Sequence, residues 1–208
     1  MKDLVDNPKA MNRAPARLDL IQSLTGLVLA LFMWTHLILV SSILLGKVAM
    51  LWVSHMMEGR MLTGTMMEPD KHGLPIIVTL TGIGVFTLFI VHAAIAVRKF
   101  PGSWKQYRVY RQQMQMMKHS DTNLWFWQAV TGFIMFFLGS VHLYIMTTHP
   151  DLIGPYASAD RFVDQWMWPL YFVLLIAVEL HATIGMYRLA VKWGILDGKE
   201  PRVTRKRL

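Results

Sequence analysis

Apolar residues along this chain come in long unbroken blocks, with no regular alternation of polar and apolar positions. Residues 20–45, 74–97 and 124–147 contain no Asp, Glu, Lys or Arg, and 165–187 contains only Glu179. After the first block the apolar character continues past Lys47 to Trp52. Each block exceeds the roughly 20 residues that cross about 30 Å of hydrocarbon at helical rise. A helix packed in a water-soluble core keeps a polar stripe at every third or fourth position, and these blocks show little of one. The pattern predicts transmembrane helices at about 20–53, 74–97, 123–147 and 165–190, within a single membrane domain covering 1–208. The expected fold class is an all-α integral membrane protein built as a four-helix bundle. The first block is too long for the apolar core of a signal peptide, and no small-residue cleavage site follows it.

The polar residues lie between the blocks, and their signs are sorted. The chain carries 21 Lys and Arg against 13 Asp and Glu, a net charge of +8, although only 16% of its residues are charged. Seventeen of the 21 basic residues fall in the N-terminal tail, the 98–122 connection and the C-terminal end. Arg60, Lys71 and Arg161 in the other two loops sit beside Glu58, Glu68, Asp70, Asp151, Asp160 and Asp164. The positive-inside bias therefore puts both termini and the 98–122 connection in the cytoplasm. Basic residues that flank apolar spans, instead of forming an isolated face, argue against nucleic-acid binding. In the 98–122 connection Trp104, Tyr107, Val109, Met114 and Met117 are interleaved with basic residues and Gln. That pattern predicts a short amphipathic helix at the cytoplasmic membrane surface, separated from the second span by Pro101-Gly102, with Ser120-Asp121 capping the next. No internal repeat is evident. With no cysteine, disulfides, thiolate zinc sites and iron–sulfur clusters are excluded.

Chemistry then rests on histidine and carboxylates. Of eight histidines, His55, His72, His119 and His149 lie in loops or at span edges, while His36, His92, His142 and His181 lie one in each span. Ionisable residues inside a membrane are expensive and point to function. Their depths fall into two levels. At helical rise, His92 and His181 lie ~9 and ~10 Å from the cytoplasmic edge, and His36 and His142 ~24 and ~27 Å from it. Two depth-matched pairs inside a bundle suit two bis-histidine haems, one above the other, as axial ligands from facing helices. A two-histidine site is under-ligated for tetrahedral zinc. Gly82, Gly84, Gly132, Gly139, Ser140 and Gly185 would give room for a flat ring, but close helix packing favours the same residues. Near the His92/His181 level, Gln22, Ser23, Trp125 and Lys192 are candidate partners for haem propionates or ordinary interfacial anchors. Glu179 lies about 200° around the helix from His181. It is expected to be protonated or water-linked, and to relay protons.

The local contexts Trp-Thr-His36, Val-His92, Val-His142 and Glu179-Leu-His181 resemble the di-haem cytochrome b subunits of quinol:fumarate reductases and related succinate:menaquinone reductases. So do Arg98-Lys99-Phe100-Pro101 with Tyr107-Arg108, Lys118-His119-Ser120-Asp121-Thr122 and Tyr187-Arg188-Leu189-Ala190. The resemblance runs from about Gln22 to Gly194.

It implies two haem b groups, with His92 and His181 on the proximal one and His36 and His142 on the distal one. It implies electron flow from menaquinol through the haems to an iron–sulfur subunit and then to a flavoprotein subunit that reduces fumarate. Both partner subunits are expected on the cytoplasmic face of a bacterial inner membrane, in a dimer of heterotrimers that serves anaerobic respiration. Met57-Glu58-Gly59 looks like the family's menaquinol motif, making Glu58 the candidate proton acceptor. Glu179 corresponds to a residue associated with transmembrane proton transfer. Gln22, Ser23, Trp125 and Lys192 match the proximal propionate contacts. Many family members have a further span after the last ligand helix, and its absence is expected from the basic tail ending at Leu208. The rival readings are the same anchor run in reverse as a succinate:menaquinone reductase, a histidine-relay transporter or proton channel, and a haem-free structural anchor.

Overall fold

The computed structural model describes residues 12–68, 73–117 and 120–196. Lys2, Lys9, Asp70, Lys71, His72, Lys118, His119 and the basic residues Lys199, Arg202, Arg205, Lys206 and Arg207 lie outside the described residues, as do the side chains of Ser120 and Asp121. The described chain forms α1 (Ala14–Val40), α2 (Lys47–Met57), α3 (Arg60–Thr63), α4 (Pro75–Val97), α5 (Trp104–Met117), α6 (Ser120–Thr148), α7 (Pro155–Val163) and α8 (Trp168–Lys192). Prolines open α1, α4, α7 and α8 in the first turn, where a missing N–H leaves no bond unmade. Four helices are long and apolar enough to cross a membrane: α1 with its continuation to Leu45, α4, α6 and α8.

The first span is shorter than its composition predicts. The apolar run to about residue 53 is not one helix. It tightens into a 3₁₀ turn at Ser41–Leu45, and Gly46 then takes φ 112°, a backbone conformation that L side chains rarely adopt. The chain restarts as α2. Likewise the connection between the last two spans contains α7, which was read from sequence as a loop. The predicted amphipathic segment is helical as α5, where Tyr107, Tyr110 and Met114 are half-buried and the basic residues exposed.

The four long helices pack in the cyclic order α1, α4, α6, α8, with the most extensive contact between α6 and α8. So α1 faces α6, and α4 faces α8, across the bundle axis. At the end where α1 starts and α8 finishes, Asp19 of α1 binds Arg98 Nη2 at 2.6 Å and Lys99 Nζ at 3.1 Å. Lys192 Nζ donates to the Asp19 carbonyl (3.0 Å) and to Ser23 Oγ (2.9 Å). These half-exposed contacts are individually weak, but together they join α1, α4 and α8. At the far end α2 packs against the 3₁₀ turn and α7, and α7 against α8.

The outward surface is apolar at mid-bundle, with Leu31 51%, Leu80 60% and Phe133 63% exposed. Polar groups turn inward: Thr25 and Thr131 are buried. This distribution needs hydrocarbon as the outer solvent. Phe133→Asp should cost about 2.5–3.5 kcal/mol of membrane insertion, read as lost yield in the membrane fraction, whereas Phe133→Leu should leave that yield unchanged.

Candidate functional site

The four span histidines meet in pairs across the two diagonals. His36 on α1 faces His142 on α6 with ring centres 6.2 Å apart, and His92 on α4 faces His181 on α8 at 6.4 Å. This is the pairing that depth alone predicted. The separation is informative. A metal–imidazole bond of about 2.0–2.1 Å, plus about 1.1 Å from nitrogen to ring centre, puts two imidazoles on opposite sides of one metal about 6.2–6.4 Å apart. Among the described residues, no three His, Asp or Glu side chains converge on one point. Each site therefore offers two axial nitrogens and no equatorial set. That donor set fits a metal that brings its own four equatorial ligands, as haem iron does.

Hydrogen bonding settles which nitrogen of the lower pair faces inward. His181 Nδ1 lies 2.9 Å from the Gln128 carbonyl. A carbonyl only accepts, so Nδ1 carries the proton and Nε2 is left as the lone-pair donor. Thr131 Oγ1 is 3.4 Å from the same nitrogen and donates its single proton to the Trp127 carbonyl at 2.8 Å. His92 has the same surroundings: a hydrogen bond to the Gln22 backbone, and Thr25 Oγ1 3.1 Å from Nδ1 while donating to the Ile21 carbonyl at 2.8 Å. The upper pair is held by aromatic packing. His36 stacks on Phe32 at 5.8 Å, and His142 meets Tyr171 edge-on at 5.6 Å. His142 Nδ1 and the Tyr171 hydroxyl are buried without a hydrogen-bond partner.

Two glycines seat the lower rings. A Cβ on Gly26 would lie 2.9 Å from His92 Cε1, and one on Gly132 would lie 2.8 Å from His181 Cε1. Gly26 was missed from sequence, as were Thr25, Thr131 and Gln128. The overlooked signal was an internal repeat. Gln22-Ser-Leu-Thr25-Gly26 and Gln128-Ala-Val-Thr131-Gly132 share one pattern, and in each the helix's histidine stands ten residues after the glycine. The reading that the chain lacks a repeat is therefore corrected. The other small residues do not line the histidine rings. Gly82 approaches Thr147, Gly139 is near Phe89 and Leu174, Gly185 approaches the Gln128 amide, and Gly84 has nothing within 4 Å. Ser140 Oγ donates to its own helix at Phe136.

Of the candidate propionate partners, Ser23 and Lys192 are in contact and Gln22 Oε1 is buried without a hydrogen bond. Trp125 packs against Phe100 and Tyr110. Glu58 ends α2 and is not an open loop acid. Its carboxylate accepts from Arg60 Nε at 3.1 Å, with the two side chains 15% and 7% exposed. Arg60 Nη1 also donates to the Glu68 carbonyl at 3.1 Å. The turn is tight: Gly59 has φ 73°, and a Cβ on Gly73 would lie 2.4 Å from Glu58 Cβ. Glu179 is half-buried on α8 and, among the described residues, has no hydrogen-bond or ion-pair partner. Of the edge histidines, His149 Nδ1 meets Thr148 Oγ1 at 2.9 Å, and His55 lies on α2.

Comparison with known proteins places the chain in a family. Residues 105–208 match the family described as the succinate dehydrogenase/fumarate reductase transmembrane subunit. The chain is 52% identical over 197 residues to the fumarate reductase cytochrome b subunit of Wolinella succinogenes, covering 95% of this chain and 74% of that protein. Proteins of the same description from two strains of Helicobacter pylori are 51% identical over 179 residues, covering 86% of this chain and 68% of theirs. The chain belongs to the succinate dehydrogenase/fumarate reductase transmembrane subunit family and is a membrane protein.

The glycine seats make a direct prediction. Gly26→Ala or Gly132→Ala should displace the imidazole of His92 or His181 and lower the haem content per chain. Gly84→Ala should leave it unchanged. Pyridine haemochrome assay of the purified protein checks both.

Proposed function

We propose that this family member is the di-haem b membrane anchor of a quinol:fumarate reductase. The observation that carries the reading is the spacing of the two histidine pairs, 6.2 and 6.4 Å between ring centres, which suits one haem iron between each pair. His92 and His181 hold the proximal haem, and His36 and His142 the distal one. Haem held in this way would supply reversible one-electron transfer. Gln22, Ser23, Trp125 and Lys192 would hold the proximal propionates. The support is uneven: Ser23 and Lys192 already converge at 2.9 Å, while Trp125 sits with Phe100 and Tyr110.

The basic end is the cytoplasmic one by the positive-inside bias, and there the flavoprotein and iron–sulfur partners dock. The setting is a bacterial inner membrane, with the complex a dimer of heterotrimers. Menaquinol is oxidised at the far end, yielding menaquinone, two electrons and two protons. Glu58 takes up a proton there. Its ion pair with the buried Arg60 holds the carboxylate at a fixed point between α2 and α4. An electron moving inward against a potential negative inside costs about 2.3 kcal/mol per 100 mV. Glu179 offsets this by relaying a proton in the same direction, and its half-buried carboxylate stands between the two histidine levels.

Reduced-minus-oxidised spectra of the purified complex should show low-spin b-type bands from two haems per chain, and His36→Ala should remove one. Absence of haem from the wild-type protein would sink the reading. Glu58→Gln should slow menaquinol oxidation by roughly 10²-fold or more with both haems retained. Glu179→Gln should slow turnover in energised vesicles, and unchanged turnover would remove it from the relay.

A further inference from the structure

The repeated Gln-x-x-Thr-Gly segment does more than make room for an imidazole. We propose that Thr25 and Thr131 are positioning residues that set the orientation and electron richness of the proximal haem ligands His92 and His181. The inference rests on the di-haem reading above.

Each threonine has a single hydroxyl proton, already given to a carbonyl one turn back, Ile21 for Thr25 and Trp127 for Thr131, both at 2.8 Å. Towards the neighbouring imidazole each hydroxyl can only accept. The Nδ1–H of His92 or His181 therefore meets two acceptors from one helical turn, a Gln carbonyl and a Thr hydroxyl. The two acceptors fix the ring's rotation and tautomer, and they leave Nε2 for the metal. Acceptors at Nδ1–H also push electron density onto Nε2, raising the basicity of the ligand. The adjacent Gly26 and Gly132 let the ring approach closely enough for the bond to form.

The two halves are unequal. Thr131 stands 3.4 Å from His181 Nδ1, which already has the Gln128 carbonyl at 2.9 Å. Thr25 stands at 3.1 Å from His92 Nδ1, so its hydroxyl carries more of the interaction. The distal pair lacks the device: among the described residues no threonine hydroxyl hydrogen-bonds His36 or His142, and His142 Nδ1 has no partner. The plainer alternative is that each threonine merely satisfies itself on its own helix, as threonines in membrane helices often do.

The test uses the assembled complex with the full chain carrying Thr25→Val, Thr25→Ser or Thr131→Val. Optical redox titration and electron paramagnetic resonance of the low-spin ferric haems are the readouts. Thr25→Val should keep two haems, raise the midpoint potential of one and alter its ferric signal, leaving the other haem unmoved. Thr25→Ser should match wild type, and Thr131→Val should shift the same haem less. Loss of one haem in Thr25→Val with retention in Thr25→Ser also supports the role. A Thr25→Val titration superimposing on wild type overturns it, as does a Thr25→Ser variant disturbed as much as Thr25→Val. A wild-type chain without haem overturns the functional reading and this inference with it, whereas two wild-type haems with a silent Thr25→Val overturn this inference alone.

Discussion

The bundle is organised around imidazole pairs held about 6.3 Å apart across its axis. Rings paired at that spacing require their helices to stand diagonally, α1 opposite α6 and α4 opposite α8. The cyclic order α1, α4, α6, α8 follows, because consecutive long helices then lie side by side. It also constrains what lies behind each lower ring. The ring must pass close to a helix backbone, so glycine is needed there, and its outer nitrogen needs an acceptor in a region without water. Gln22 and Gln128 carbonyls, with Thr25 and Thr131, meet that need from one helical turn.

The bilayer imposes the second constraint. Apolar side chains cover the outside, and polar groups are confined to the axis or to the two ends. At the basic end, Asp19 gathers Arg98, Lys99 and Lys192, joining three helices with contacts that are weak singly. At the far end, α2 and α7 close over the bundle instead of continuing it. The break at Gly46 matters for this reason. A first span running to residue 53 would carry Glu58 away from the bundle; the turn and α2 return it, where Arg60 holds its carboxylate against the start of α4.

Family membership and geometry support one another without being the same argument. The comparisons assign the chain to the succinate dehydrogenase/fumarate reductase transmembrane subunit family. The glycine seats and the Glu58–Arg60 contact come from the tertiary structure alone, and the histidine pairs it forms are those that helical rise had matched by depth. A histidine-relay transporter gains nothing from the geometry. Relays need neither matched ring-to-ring spacing at two levels nor glycines that seat the two rings of one pair.

Much of the molecule was legible before any coordinates. Unbroken apolar length set the spans, the sign of the intervening charge set their direction, and helical rise then sorted four histidines into two levels. These readings succeed because they depend on one-dimensional quantities, length, charge and rise per residue, which the bilayer converts directly into structure. The internal repeat was also present in the sequence, but it acquired meaning only when Thr25 and Gly26 met His92 across a helix interface. What tertiary structure alone decided is lateral. It placed the break at Gly46, the return of α2, the ion pair between half-buried Glu58 and buried Arg60, the packing of Trp125 with Phe100 and Tyr110, and, among the described residues, the lack of a partner for Glu179. Contacts between helices depend on rotation about each axis, and an apolar block that is hydrophobic all round carries no signal of which face turns inward.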